Sequence, residues 1–134
     1  MPVTFHFQEN DRIMLWTLTD PWNVPDLMSF YKQAEVVLNN APYIVHSLID
    51  FRQARHIPAG ALKARQTNTW DHPRSGQTVV VGAAPLLKKT LEALFRIMRF
   101  DRLKFFDGEA EARAYLRDLI AQETESHADS TIAN

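Results

Sequence analysis

The chain of 134 residues contains no cysteine. This absence excludes disulfide bonds, thiolate catalysis and cysteine-ligated zinc sites. No apolar run approaches the roughly 18 residues that a transmembrane helix requires, and the first residues lack the basic and apolar regions of a signal peptide. We therefore expect a cytoplasmic protein without an integral membrane segment.

A strong net charge is also lacking. The formal net charge is −1 at pH 7, so no overall field attracts nucleic acid, and we expect no nucleic-acid partner. The charges are nevertheless uneven along the chain. Residues 84–106 carry six basic and two acidic side chains, a net +4, whereas residues 107–134 carry two basic and seven acidic side chains, a net −5. Either the two segments lie close together in space or each faces a partner of its own.

Residues 77–106 show the clearest structural pattern. The three consecutive valines at 79–81 are typical of a strand that is covered on both faces. Gly82 ends this strand, and Pro85 suits the first turn of a helix. Apolar residues then recur at helical spacing, and strand character returns at 103–106. This order predicts a strand–helix–strand crossover, which is nearly always right-handed.

The rest of the chain adds elements on both sides of this crossover. The alternation at 3–8 and the apolar run at 12–19 predict an antiparallel hairpin. Asn23 is a plausible N-cap for a strongly amphipathic helix. The remaining elements are a strand at 43–51, a weaker helix from Ala59 toward Trp70, and a last helix capped by Asp107.

We therefore predict a single α/β domain over residues 1–123. It contains a five-stranded mixed sheet and four helices in the order ββαβαβαβα. The tail at 124–134 is small and polar, and we expect it to be disordered.

This order resembles the STAS domain, and more narrowly the SpoIIAA-like proteins of bacteria. The closest parts are the run Leu-Ile-Asp at 48–50, the run Val-Val-Val-Gly at 79–82 and the segment at 104–116. The resemblance covers roughly residues 3–121 and implies a STAS-like sheet with four helices and no chemistry of its own. Such domains act mostly through protein partners, and some relatives bind nucleotides or lipids.

The resemblance also implies a regulatory feature that this chain departs from. In the anti-sigma-factor antagonists, an Asp-Ser pair opens the second helix, and the serine is the phosphorylation switch. Alignment on Asp50 places Pro58 and Ala59 at that pair. Since Ala59 has no hydroxyl group, the resemblance implies that the usual phospho-acceptor is missing.

A loop at 50–59 follows the central strand, at the sheet edge where α/β proteins favour ligands. Arg52, Arg55 and His56 in this loop suit an anionic ligand or an acidic partner, and Ala59 begins the next helix. The alternative is that these arginines are ordinary solvated loop charges.

A polar and aromatic segment at 70–76 suggests a flap over the same edge. It includes Trp70 and His72. The alternative is a connecting loop whose tryptophan packs on the core.

The end of the basic helix is more apolar than one core-facing stripe requires. We predict that Ile97 and Phe100 point partly away from the sheet and form an interaction face with Arg96 and Arg99. The alternative is that Ile97 and Phe100 pack on the last helix.

No catalytic constellation is recognisable. The five histidines lack metal-ligand spacing, so we expect no metal and no cofactor; His46 suits a satisfied core position. We expect a protein that is not an enzyme, a regulatory module that binds a protein partner or forms a homodimer. The alternative is a binder or sensor of a small anionic or lipidic ligand near 50–59. A third alternative is a small enzyme that uses Asp50 and His72 for acid–base chemistry.

Overall fold

The computed structural model describes residues 3–58, Gly60 and residues 72–133, with side chains described as far as Thr124. Five strands and three helices form within these residues. The strands are β1 (Val3–Gln8), β2 (Ile13–Thr19), β3 (Val45–Gln53), β4 (Ser75–Val81) and β5 (Leu103–Phe106). The helices are α1 (Val24–Asn40), α2 (Pro85–Ile97) and α3 (Glu109–Ala133).

The strands form one sheet in the order β1-β2-β3-β4-β5. β1 and β2 are antiparallel, whereas β2, β3, β4 and β5 are parallel to one another. Because the last four strands share a direction, they all end at the same side of the sheet. We call that side the carboxyl edge and the opposite side, where these strands begin, the amino edge.

Local chemistry explains where α1 begins. The Asn23 side-chain oxygen accepts a hydrogen bond from the Asp26 amide at 2.8 Å, and Pro25 occupies the first turn. Both features satisfy or remove backbone donors that have no partner at a helix start. The predicted N-cap is therefore confirmed.

Helices cover both faces of the sheet. α1 and α2 pack on one face, where their buried residues join those of the sheet in the larger core, and α3 packs on the other. Alternation along β3 divides its side chains between the two faces: Ile49 belongs to the core under α1 and α2, and Leu48 to the core under α3. Asp50 therefore shares the α3 face with Leu48.

The predicted α/β class and five-stranded mixed sheet are confirmed. The described residues form three helices; the predicted helix from Ala59 toward Trp70 lies, apart from Gly60, outside them. β3 has the predicted length but begins and ends two residues later, at Val45 and Gln53. At its end, the Gln53 carbonyl accepts a hydrogen bond from the Asp20 amide at 3.0 Å.

Two predictions concern the last helix. α3 begins at Glu109, so Gly108 rather than Asp107 stands directly before it, and the predicted cap position is wrong by one residue. α3 also continues to Ala133 and includes most of the segment 124–134. Disorder of that tail stays a prediction.

Candidate functional site

An ion pair between the buried Asp50 and the half-exposed Arg52 lies at the carboxyl edge, where β3 ends. The Arg52 side chain donates hydrogen bonds to both carboxylate oxygens of Asp50, from Nε at 3.0 Å and from Nη2 at 2.7 Å. The Arg52 backbone amide donates another to the same carboxylate at 2.9 Å. Burial alone raises the pKa of Asp50, but the side-chain and backbone hydrogen bonds from Arg52 outweigh it and leave the pKa below its usual 3.8. The predicted anion ligand Arg52 therefore already binds an internal carboxylate.

The position of Arg52 depends on Gly82. The Gly82 φ is +71°, and a Cβ atom placed there would lie 2.3 Å from the Arg52 Cγ. Glycine allows both this left-handed backbone and the close approach of the arginine stem. On its other side, the Arg52 guanidinium lies 3.9 Å from the carboxylate of Glu109 at the start of α3. Arg52 thus links β3 to α3.

The loop after β3 is fixed by Asp20. One carboxylate oxygen lies 2.9 Å from the His56 Nδ1 atom, and the other accepts the Arg55 amide at 2.7 Å. The Trp22 indole donates to the His56 carbonyl at 3.0 Å. Of the predicted ligands in this loop, His56 is therefore engaged with a carboxylate, while the Arg55 side chain is exposed. Ala59 and Trp70 lie outside the described residues.

His72 lies at the amino edge, so the prediction that its segment covers the loop at 50–59 is wrong. His72 precedes Ser75, which pairs with Val45 at the beginning of β3, whereas Asp50 lies five residues further on, roughly 16 Å away along the strand. The alternative that Asp50 and His72 form an acid–base pair is wrong for the same reason. His72 instead accepts the Arg74 amide at its Nδ1 atom and contacts Asn39 at its Nε2 atom, 2.7 Å away.

A second buried polar pair lies at the amino edge. The His46 side chain is 5% exposed, and its Nε2 atom lies 2.7 Å from the Glu123 carboxylate of α3. The His46 Nδ1 atom accepts the Gln77 amide at 2.9 Å. Since Nδ1 is an acceptor, Nε2 carries the proton and donates a hydrogen bond to Glu123. The prediction of a satisfied core histidine is confirmed, but its partner was not predicted, because 77 residues separate the two in sequence.

The outer surface of α2 carries the predicted interaction face only in part. The Ile97 side chain is exposed, as are Arg96 and Arg99. Phe100, however, is 7% exposed and packs against Phe95, with 5.5 Å between the ring centroids. The prediction that Phe100 points away from the sheet is therefore wrong.

The end of α2 explains the burial of Phe100. The Phe100 amide donates to the Phe95 carbonyl and the Arg99 amide to the Arg96 carbonyl, which is the hydrogen-bond pattern of a Schellman turn. Arg99 has φ +58°, so the chain reverses there and Phe100 returns to the core. The helical spacing that predicts an outward Phe100 no longer applies after Ile97.

Leu86 was not predicted as part of this face. It is 79% exposed and lies in the first turn of α2, whereas Ile97 is 56% exposed and lies in the last. Eleven residues are about three helical turns, so the two side chains point in directions only about 20° apart. In the sequence, the spacing of eleven residues between Leu86 and Ile97 indicates that the two side chains lie on one helix face.

Between α1 and α2, an apolar cavity of about 60 Å³ lies in the core. Its lining is aliphatic and aromatic and includes Trp16, Trp22 and Tyr31. The described residues of this lining include no charged group that would orient an anion.

The described residues contain neither a metal-binding cluster nor a membrane-spanning helix. No group of three or more histidine, aspartate or glutamate side chains there is placed to hold a metal ion. No helix in that part of the chain is both long enough and apolar enough to cross a membrane.

Comparison with models of known protein families finds no match for this chain, and comparison with curated proteins finds none either.

Proposed function

We propose that this protein is a non-enzymatic, STAS-like regulatory module that binds a partner protein through the outer face of α2. The strand order and the parallel crossover from β4 through α2 to β5 support the STAS-like assignment. The missing hydroxyl at Ala59 belongs to the same proposal: regulation occurs through occupancy of the α2 face rather than through phosphorylation at that position.

The observation that carries the proposal is the pair of exposed apolar side chains on α2. Leu86 and Ile97 lie at opposite ends of one helix face, with the small residues Thr90 and Ala93 exposed between them. Large apolar side chains that share an exposed face are typical of a docking surface for another protein.

The charges on α2 indicate the kind of partner. α2 carries Lys88, Lys89 and Arg96 against a single acidic residue, Glu92. In a symmetric dimer formed by this face, the excess of positive charge on one copy would meet the same excess on the other. A partner segment with apolar side chains flanked by acidic residues meets the surface with opposite charge instead. We therefore expect the occupant to be an acidic, apolar segment of a different protein.

Site-specific photo-crosslinking in extracts of the source organism, followed by binding measurements, tests this proposal. A photoreactive residue at position 86 or 97 should capture the same protein, and that protein, once purified, should bind through an acidic segment. Ile97→Asp should weaken this binding about tenfold or more, because the charge sits in a desolvated apolar contact and adjoins acidic partner residues.

Val36 provides a matched control, since it is 59% exposed but lies on α1. Val36→Asp should leave the dissociation constant unchanged. Equal weakening by both variants would contradict the α2 proposal. A dimer of the purified protein that Ile97→Asp dissociates would also contradict it, because the face would then be occupied by a second copy.

The proposal that the protein is not an enzyme is supported by the hydrogen bonds of two buried titratable groups among the described residues, Asp50 and His46. Asp50 is held by Arg52, and His46 is held on both ring nitrogens. His46 joins β3 to α3 through Glu123, and Arg52 joins β3 to α3 through Glu109, so these residues contribute to packing. A general acid or base needs an atom within hydrogen-bonding reach of a substrate proton. In these two pairs, groups of the protein itself already occupy most of the hydrogen-bonding positions.

A further inference from the structure

We propose that the amino edge holds a binding site for a small, hydroxyl-bearing phosphate ester. The site is a basic cleft made of two adjoining hollows of about 500 Å³ and about 270 Å³, which share Ile44 and Glu123 in their linings. It lies at the edge opposite the loop at 50–59, and it uses none of the apolar residues of the α2 face.

Arginines line both hollows. Arg99 and Arg102 line the larger, and Arg12 and Arg74 line the smaller. Among the described lining residues, the four arginines meet one carboxylate, that of Glu123, which gives a formal charge of +3 with the histidines neutral. Guanidinium groups bind phosphate through paired hydrogen bonds, and two of them in each hollow suit a dianion.

Two of these arginines are fixed in place. The Arg12 guanidinium donates to the Thr124 hydroxyl at 2.6 Å and lies over the Tyr43 ring, 4.4 Å from its centroid. Arg102 donates from Nε to the Gly76 carbonyl at 3.2 Å and lies over the Phe100 ring. Groups held in this way lose little freedom when a ligand binds.

Arg74 and Arg99 supply the available charge. Within the described residues, neither guanidinium group has a carboxylate partner. Arg99 also occupies a left-handed position that glycine adopts at lower energetic cost. An arginine there is unfavourable for the helix end, but it places a cation at the wall of the cleft.

Glu123 explains why the ligand should carry hydroxyl groups. The Glu123 Oε1 atom accepts a hydrogen bond from His46, which fixes the carboxylate in the cleft. The second carboxylate oxygen can accept a hydrogen bond from a ligand hydroxyl. A carboxylate would repel a bare phosphate, so the combination favours a ligand with an anionic end and a hydroxylated end, as in a sugar phosphate.

Isothermal titration calorimetry with the full chain tests the site, with ribose 5-phosphate, ribose and inorganic phosphate as probes. Ribose 5-phosphate should bind more tightly than either of the other two. Arg74→Gln and Arg99→Gly should each weaken its binding about tenfold, the usual effect of losing a charge-assisted hydrogen bond. Lys32→Gln removes an exposed cation on α1, outside both linings, and should leave binding unchanged.

Glu123→Gln tests the hydroxyl contact separately. Glutamine retains an acceptor for His46, so the fold should persist, but it loses the second carboxylate oxygen. The ratio of the ribose 5-phosphate and phosphate affinities should therefore fall about tenfold. An unchanged ratio would overturn the hydroxyl-bearing class of ligand. The absence of binding at millimolar ribose 5-phosphate, or equal weakening by Lys32→Gln, would overturn the site itself.

Discussion

Asp50 lies where the sequence predicts a ligand site, but its carboxylate forms an ion pair with Arg52. Its carboxylate is nearly buried, with 9% of the side chain exposed, whereas the Arg52 side chain is 49% exposed. The arginine therefore neutralises the carboxylate and covers it from solvent. A free anion at the carboxyl edge would have to compete with a carboxylate that is covalently part of the same strand, at very high effective concentration.

The low pKa of Asp50 predicts how stability depends on pH. Because the folded-state pKa lies below 3.8, the ion pair stabilises the protein fully above that value, and this contribution is lost as the pH falls through the folded-state pKa. At pH 7, Asp50→Asn should lower the free energy of unfolding by about 1–2 kcal/mol, a range that allows for solvent screening of the half-exposed Arg52.

Urea denaturation at pH 7, 5, 4 and 3 measures this effect. The difference between the wild type and Asp50→Asn should shrink below pH 4. Arg52→Gln should reproduce most of the loss at pH 7, because it removes the same pair from the other side. Parallel pH profiles for the wild type and Asp50→Asn would show that the ion pair does not contribute as described.

At the scale of elements, we expect two glycine substitutions near the end of α2 to change the free energy of unfolding in opposite directions. Arg99→Gly should raise the free energy of unfolding by about 0.5 kcal/mol, because it relieves a left-handed non-glycine residue at the cost of some unfolded-state entropy. Arg96→Gly, inside the last turn of the helix, should lower it by about 1 kcal/mol.

Thermal and chemical denaturation of the two variants tests this pair. A loss of stability in Arg99→Gly comparable to that in Arg96→Gly would mean that the helix continues beyond Met98. Such a result would also mean that the Phe100 side chain points away from the sheet.

The elements were largely predictable because each has a local signal. Asn23 marks the start of α1, and the valines at 79–81 mark β4. The burial of Phe100 was not predictable from periodicity, since the turn at Arg99 has an arginine where the sequence signal would be glycine. The partner of His46 was not predictable either, because it depends on where α3 passes over the sheet.

The place of His72 was predictable in principle. In a parallel pair of strands, the residues that follow one strand and those that precede the next lie at opposite edges. The sequence already predicts parallel strands on both sides of the segment at 59–71. A flap over the carboxyl edge from the residues just before β4 therefore conflicts with the predicted topology itself.

At the scale of the whole molecule, α3 joins the two edges of the sheet. Its first residue, Glu109, lies near Arg52 at the carboxyl edge. Fourteen residues later, Glu123 binds His46 at the amino edge, and the adjacent Thr124 accepts Arg12. Between them, Ala112 and Leu116 are fully buried against the sheet. The helix therefore holds both ends of β3 at once.

Two truncated chains distinguish the contribution of the α3 contacts to the free energy of unfolding from that of the residues after Thr124. A chain that ends at Thr124 keeps both contacts and should unfold with the same free energy as the full chain. A chain that ends at Ile120 leaves the buried His46 without its carboxylate and should lose about 2 kcal/mol. Equal stability of the two truncated chains, measured by urea denaturation, would show that the contacts at the amino edge contribute nothing.

The strand order has a consequence for self-association. Within the described residues, β1 and β5 form the two margins of the sheet. β5 has only four residues, and the exposed Lys104 lies within it. A short, charged strand at the margin pairs poorly with a strand of another molecule. The six residues of β1 offer a longer row of backbone groups for such pairing. Under conditions that promote aggregation, hydrogen exchange should become protected at residues 3–8 before residues 103–106, so fibrillar growth would start from the hairpin side of the molecule.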